Sequence, residues 1–360
     1  MSILSGVKII EIEGIGPGPF CGMLLADLGA DVVVIERPGT AQFASSGETT
    51  ITKRGKNSIS LNLKNEDDKK LFFKLIEKSD GLIEGMRPGV MEKLGLGPEI
   101  CHKINPRLAY GRVTGWGQDG PLSHAAGHDL NYIGLSGALW YSGRPGDPPF
   151  APPSLVGDVA GGALYLAIGM LATIMKARES GNGDVVDAAM IDGSAHMMNL
   201  LLTAKQFGAL QNERGKSILD GPHWYDSYSC KDGGFITIGS LEPKFYALLI
   251  EKLELTNDAS FANQMDASVW PEQKEKLATI FKSRTRDEWC ELMEGTDICF
   301  APVLNPDEAA EHPHMKSRKT YSSERGSLEA MPAPRFSNHA NRAPSNSHPT
   351  TVADLLQKWK

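Results

Sequence analysis

Two ionisable side chains stand out by their settings. His128 lies in the run Gly127-His128-Asp129-Leu130-Asn131-Tyr132, and Asp158 follows Gly157 at the head of a long Gly/Ala-rich stretch with helical composition. An imidazole titrates near neutrality, and a carboxylate at a helix start stays ionised, so the two residue types suit general acid-base chemistry. A helix N-terminus also disfavours the cationic imidazole and offers backbone N–H groups to an oxyanion. Pattern alone leaves the plainer duties open, a satisfied structural histidine and a capping aspartate. Gly161-Gly162 behind the aspartate weakens the helix, and one use of that cost is to let something bulky approach the backbone.

Other chemistries fit poorly. His128, Asp129 and Asp158 lack the spacing of a metal-ligand motif, and no cysteine lies close to them in sequence. A serine hydrolase needs a G-x-S-x-G elbow, which Gly134-Leu135-Ser136-Gly137 does not supply.

The elements that must hold these residues alternate between strand and helix over the first third of the chain. Val7–Ile12 is an apolar, β-branched strand that ends in a Gly/Pro turn, residues 14–19. A helical stretch to Leu28 follows, and then a second strand, Asp31–Glu36. This imitates a dinucleotide fold but misses its glycine fingerprint, because Pro19 stands where the third small residue should be and Pro17 removes a loop N–H. Arg37, directly after the second strand, suits a phosphate or a purine face instead, or is a solvated arginine at a strand end. Lys53, Arg54 and Lys56 form a cation cluster that reads either as a phosphate seat or as a solvated charged face, beside a half-buried strand over Ile59–Leu63. Further strands are expected at Gly81–Glu84 and Leu108–Val113, with Arg87 at the mouth of a short helix and Trp116 as an aromatic lid on a glycine loop.

This alternation predicts an α/β fold with a mostly parallel, Rossmann-like sheet. A Met/Leu-rich helix is expected over Gly193–Leu202. Composition changes after Pro222, where a hairpin with a Gly turn and two helices, Pro243–Leu253 and Pro271–Lys282, suggest a smaller α+β domain over 225–315. The large domain is then 1–195 with 322–360, whose last helix packs back on it, and 196–224 is a connector. At 360 residues the chain is long enough for two domains, and a 41% hydrophobic content supplies their cores. A net charge of -7 disfavours nucleic acid or an acidic membrane as partner. Five scattered cysteines without a C-x-x-C pair suit a reducing compartment, and with no leader motif the expected location is cytoplasmic.

Longer motifs narrow the reading. Gly16-Pro17-Gly18-Pro19-Phe20, Ala26–Val33, Ile35–Gly39, Arg87–Gly95, Gly115-Trp116-Gly117-Gln118, Gly127–Tyr132 and Leu241-Glu242-Pro243-Lys244-Phe245-Tyr246 together resemble the class III CoA-transferase superfamily. Within it the last two blocks look like those of the α-methylacyl-CoA racemases. That resemblance implies an intertwined homodimer and a 1,1-proton transfer at the α-carbon of a 2-methylacyl-CoA. His128 and Asp158 would be the two bases, and Glu242, commonly from the partner subunit, would fix the histidine tautomer. The nucleotide would lie along Arg37, Ser60, Leu61, Asn62, Leu63 and Arg87, with Gly127, Asp129, Leu130, Asn131 and Tyr132 also in the acyl-CoA site. CoA is part of the substrate, so no separate cofactor is implied. Two alternatives stand beside it: a CoA-transferase with Asp158 as nucleophile, and a CoA-binding protein without catalysis.

Overall fold

The protein is described by a computed structural model in which residues 2–39 and 50–360 are placed. Its contacts divide the chain into two units: Met1–Leu139 with Ala151–Met198 and Lys319–Lys360, and Trp140–Phe150 with Asn199–Arg318. Most of the expected connector, from Asn199 onward, therefore belongs to the second unit, as does the 140–150 segment expected in the large domain. Side chains account for both assignments: Trp140 Nε1 donates to the Asn212 carbonyl, and Arg144 pairs with Asp226.

In the first unit six strands, Lys8–Ile12 (β1), Asp31–Glu36 (β2), Asn57–Ser60 (β3), Gly81–Glu84 (β4), Ala109–Thr114 (β5) and Asp184–Ala189 (β6), form a parallel sheet in the order β3-β2-β1-β4-β5-β6. The short strand His348–Pro349 extends it beside β3. From β3 to β6 this is the strand order of dinucleotide-binding folds, and the direction of winding reverses between β1 and β4. A crevice for ligands therefore lies beyond the carboxyl ends of those two strands.

Helices cover both faces, so a strand such as Val32-Val33-Val34-Ile35 is buried throughout and reads as a continuous apolar run. Successive residues still point to opposite sides. Ile10, Val33 and Tyr110 join Phe72, Leu75, Ile76, Val352, Leu355 and Trp359 on one face. Ile9, Val32 and Ala109 join Leu25, Leu166 and Met170 on the other. Trp359 belongs to the C-terminal helix Val352–Lys358 and its end, which packs on the sheet as the sequence suggested.

Three local expectations are corrected. The third strand is Asn57–Ser60 rather than Ile59–Leu63, because β3 pairs with β2 only as far as Glu36 opposite Ser60. Beyond it, Leu61 is a core residue and the Asn62 side chain closes a turn by accepting from Lys64 N at 3.1 Å. The helix expected over Gly193–Leu202 is two helices, Met190–Met197 and Asn199–Gln206. The cation cluster is no phosphate seat. Arg54 is buried in a fork with Asp27 and reaches Glu329, Lys56 is buried against Glu11 at 2.6 Å, and Lys53 pairs with Glu36 at 2.6 Å.

The second unit carries the antiparallel sheet β7-β8-β9, built from Tyr225–Ser229, Phe235–Gly239 and Phe300–Val303. The expected Gly turn joins its first two strands, with Gly233 at φ +83° and Cys230 N donating to the Gly234 carbonyl at 2.8 Å. Helices Pro243–Lys252, Trp270–Phe281 and Arg286–Met293 bury Leu249, Leu277, Phe281 and Trp289 against Trp224 and Ile236.

Candidate active site

The helix Asp129–Leu135 begins at His128, whose backbone N–H donates to the Asn131 side chain at 3.0 Å. That reciprocal cap leaves the imidazole exposed at the helix mouth. One turn on, Tyr132 is buried edge-on against Trp116, with ring centroids 4.8 Å apart and planes at 88°. Its hydroxyl donates to the Gly127 carbonyl, closing the turn from beneath. Two glycines make room: a Cβ on Gly115 would meet the Tyr132 ring at 2.0 Å, and one on Gly127 would meet it at 2.7 Å. Trp116, expected as a lid, is thus half-buried as a buttress for the helix that presents His128.

Asp158 lies in Leu155–Ala163, a widened π-helical segment that continues into the helix Leu164–Ser180. Widened helical turns of this kind are frequent at functional sites. Gly161 and Gly162 follow it for a reason found inside the chain: the helix Met190–Met197 presses on them, and a Cβ on Gly161 would lie 2.5 Å from the Ser194 hydroxyl. The carboxylate itself sits over the end of β1, since a Cβ on Gly16 would lie 3.8 Å from its Oδ2. Asp158 is therefore at the point where the sheet reverses its winding. It is half-buried, and burial chiefly raises its proton affinity. A hydrogen bond from the Ser154 side chain and the charge of His128 pull the other way, while the Asp129 carboxylate adds to the rise.

Asp129, expected as a ligand contact, is buried, and its Oδ1 accepts from both the Gly157 and Asp158 N–H groups at 2.7 Å. The Val159 N–H is likewise used, by the Ser154 carbonyl at 3.2 Å. The first-turn amides that the sequence offered to an oxyanion are therefore occupied.

The remaining predicted residues spread along the carboxyl edge of the sheet. Arg37 follows β2, exposed, with its backbone N–H on Glu13 at 3.3 Å. Ser60 ends the adjacent β3 and is exposed, as is Asn62, whereas Leu61 is buried in the core and Leu63 packs against it. Arg87 follows β4, exposed, and its charge acts on the Tyr132 hydroxyl together with that of Asp158, which ties it to the His128–Asp158 neighbourhood. Leu130 and Asn131 are exposed on the first turn of the His128 helix. From β3 to β4 the edge spans three strand spacings, about 14 Å, a length suited to an extended nucleotide. The loop bearing Arg87 is braced from below: buried Glu84 accepts from Met86 N at 2.6 Å and from Arg112 Nε at 2.8 Å, and Arg112 reaches on to Glu92.

Glu242 belongs to the second unit, exposed at the N-terminus of the helix Pro243–Lys252, where its charge bears on the neighbouring Cys299 thiol. Ser154, which bonds Asp158, is a site residue that sequence reasoning does not reach. Its positive φ of 60° marks it in the structure, but no local motif announces it. Among the described residues no group of three or more His, Cys, Asp or Glu side chains could hold a metal ion.

The chain is 42% identical over 333 residues to an alpha-methylacyl-CoA racemase of Homo sapiens, covering 92% of this chain and 86% of that protein. It is 40% identical over 344 residues to the alpha-methylacyl-CoA racemase of Mus musculus, covering 95% and 88%. Among solved structures, a CAIB/BAIF family protein from Brucella suis superposes with a TM-score of 0.82 at 25% identity over 100% of both chains. The model of CoA-transferase family III matches residues 4–354. On the strength of that match over nearly its whole length, the chain belongs to CoA-transferase family III.

Proposed function

We propose that the protein interconverts the (R) and (S) forms of 2-methylacyl-CoA thioesters by a two-base proton transfer. The observation that carries this is the pairing of Asp158, beside Gly16 at the winding reversal of the sheet, with His128, whose charge acts on it, while burial raises the carboxylate's proton affinity so that it can hold a proton. A racemase needs two bases of comparable strength sharing one proton. In one direction neutral His128 removes the α-proton, the thioester carbonyl takes the electron pair as an enolate, and protonated Asp158 returns a proton to the opposite face. In the other direction the roles exchange, and either way the enzyme ends with the proton on the other base. Arg37 and Arg87 would meet the phosphates, with Ser60 and Asn62 along the nucleotide. CoA enters as part of the substrate.

An intertwined homodimer fits the same reading. Leu164, Ile168 and Met175 leave an exposed apolar stripe along the helix Leu164–Ser180, and Leu200 and Phe207 are exposed in the second unit. Glu242 of a partner chain would then orient the His128 ring. The cysteines are free, which suits the cytoplasm.

The test is proton NMR in heavy water over a panel of 2-methylacyl-CoA thioesters of both configurations. Deuterium should enter the α-position from either enantiomer, and the absence of exchange with every branched thioester would refute the racemase. The family match also favours a second reading, in which Asp158 attacks the thioester carbonyl and CoA leaves as the thiolate, giving a mixed anhydride. That reading predicts label from CoA moving to a free acid and an Asp158 adduct trapped by hydroxylamine.

A further inference from the structure

Asp129 stands next to His128 in sequence and touches the backbone of Asp158 in space. The residue is 8% exposed, and one carboxylate oxygen receives two N–H groups at 2.7 Å, those of Gly157 and Asp158. The position opposite admits only glycine: a Cβ on Gly157 would lie 2.6 Å from that oxygen and 3.1 Å from Ile133 of the same helix. An acid sunk this far from solvent, with its Oδ1 spent on main-chain donors, is poorly placed to meet a nucleotide. Charge-assisted bonds to two consecutive amides fix a turn firmly.

We infer that Asp129 is a positioning residue, a clamp that holds the segment bearing Asp158 at a set distance and angle from the imidazole of His128. This rests on the proton-transfer reading above. Opposed bases must stand on either side of one carbon, and small misplacements of reacting groups are costly. The clamp joins the two segments directly, one residue from His128 at one end and at the Asp158 amide itself at the other. The same carboxylate places a negative charge beside Asp158. Other groups acting on Asp158 are His128, from the same helix as the clamp, and Ser154, from its own turn. Tyr132 and Arg87 share the neighbourhood. From the helix Met190–Met197, the contacts on Gly161 and Gly162 are made by Met190 and Ser194, which are uncharged. The helix that begins at Pro17 brings Gly16 toward the carboxylate.

Asp129→Asn keeps an acceptor oxygen for both amides and removes the charge, whereas Asp129→Ala removes both. In the full-length protein, with each variant's melting curve confirming a fold, Asp129→Ala should lower kcat for racemisation roughly 10²-fold. KM should stay within about threefold. Asp129→Asn should recover most of kcat, and the acid limb of its pH profile, where the pair takes a second proton, should move to lower pH. If the alanine variant does not fold, the asparagine variant carries the test through that limb. Unchanged kcat and an unmoved limb would overturn the clamp, as would a raised KM or weaker CoA binding with kcat intact. Should the wild-type protein exchange no α-proton, the racemase reading fails and the clamp with it. Should the wild type exchange while both variants behave like it, only the clamp fails.

Discussion

Buried charge is handled in two ways at the heart of this molecule. In the body of the fold each of three deeply buried acids has a cation: Glu11 in β1 has Lys56, Glu84 at the end of β4 has Arg112, and Asp27, at the end of the helix after β1, has Arg54. Burial pushes the proton affinity of all three up, and the cation pulls it back. At the carboxyl edge Asp158 is raised by burial too, yet its hydrogen bond comes from a serine and the opposing charge from a histidine. The first arrangement fixes a charge state and with it the scaffold. The second leaves a proton able to come and go, which is what a general acid or base requires. A run of cations in sequence is thus no guide to where a ligand binds; what separates the two regions is whether the partner is a permanent charge.

The contrast can be broken most directly at the edge. His128→Ala and Asp158→Ala should each lower the rate of α-proton exchange by 10³-fold or more, on the order of a lost general acid or base, with the fold intact by circular dichroism. Within the sheet the expected effect is on stability. Lys56→Met strands Glu11 without its cation and should cost about 3–5 kcal/mol in urea unfolding. A loss under about 1 kcal/mol would show that the pair is not the scaffold element described. Arg87→Ala and Arg37→Ala, both on the edge, should leave unfolding nearly unchanged and raise KM for acyl-CoA about tenfold, the worth of a hydrogen bond to a charged group. The smallest effect sharpens the comparison furthest. Asp158 binds its proton more tightly folded than unfolded, so the stability it contributes is complete below its ordinary pKa of 3.8 and is lost as pH rises through the higher folded value. Asp158→Asn should therefore raise Tm at pH 7 by about 1–3 °C, and the gain should vanish below pH 4.

Much of the scaffold is legible in sequence because it is local. The apolar runs of β1, β2, β4 and β5, the Gly turn at 231–234 and the terminal helix each carry their own signal over a few residues. The cation cluster misled because its partners are remote: Asp27 precedes Arg54 by 27 positions, Glu11 precedes Lys56 by 45, and Glu329 follows Arg54 by 275. Asp129 misled for a related reason. It sits in a motif that resemblance assigns to the ligand, and what it holds is main chain 28 and 29 positions away, which no side-chain pattern can announce. Residues 128 and 158 could be named as candidates from their element ends, but the place of Asp158 beside Gly16, with the charge of His128 acting on it, depends on the order of strands in the sheet.

One feature of that sheet bears on how the protein is made. Its outermost strand, His348–Pro349, and the packing of Leu355 and Trp359 on Phe72 and Leu75 come from residues translated after the whole of 199–318. Residues 199–318 have by then emerged with a core of their own. During translation the interrupting unit can mature early, while the parallel sheet waits with one flank bare until residues 348–359 have emerged. A chaperone that shields the edge of β3 would matter most in that interval.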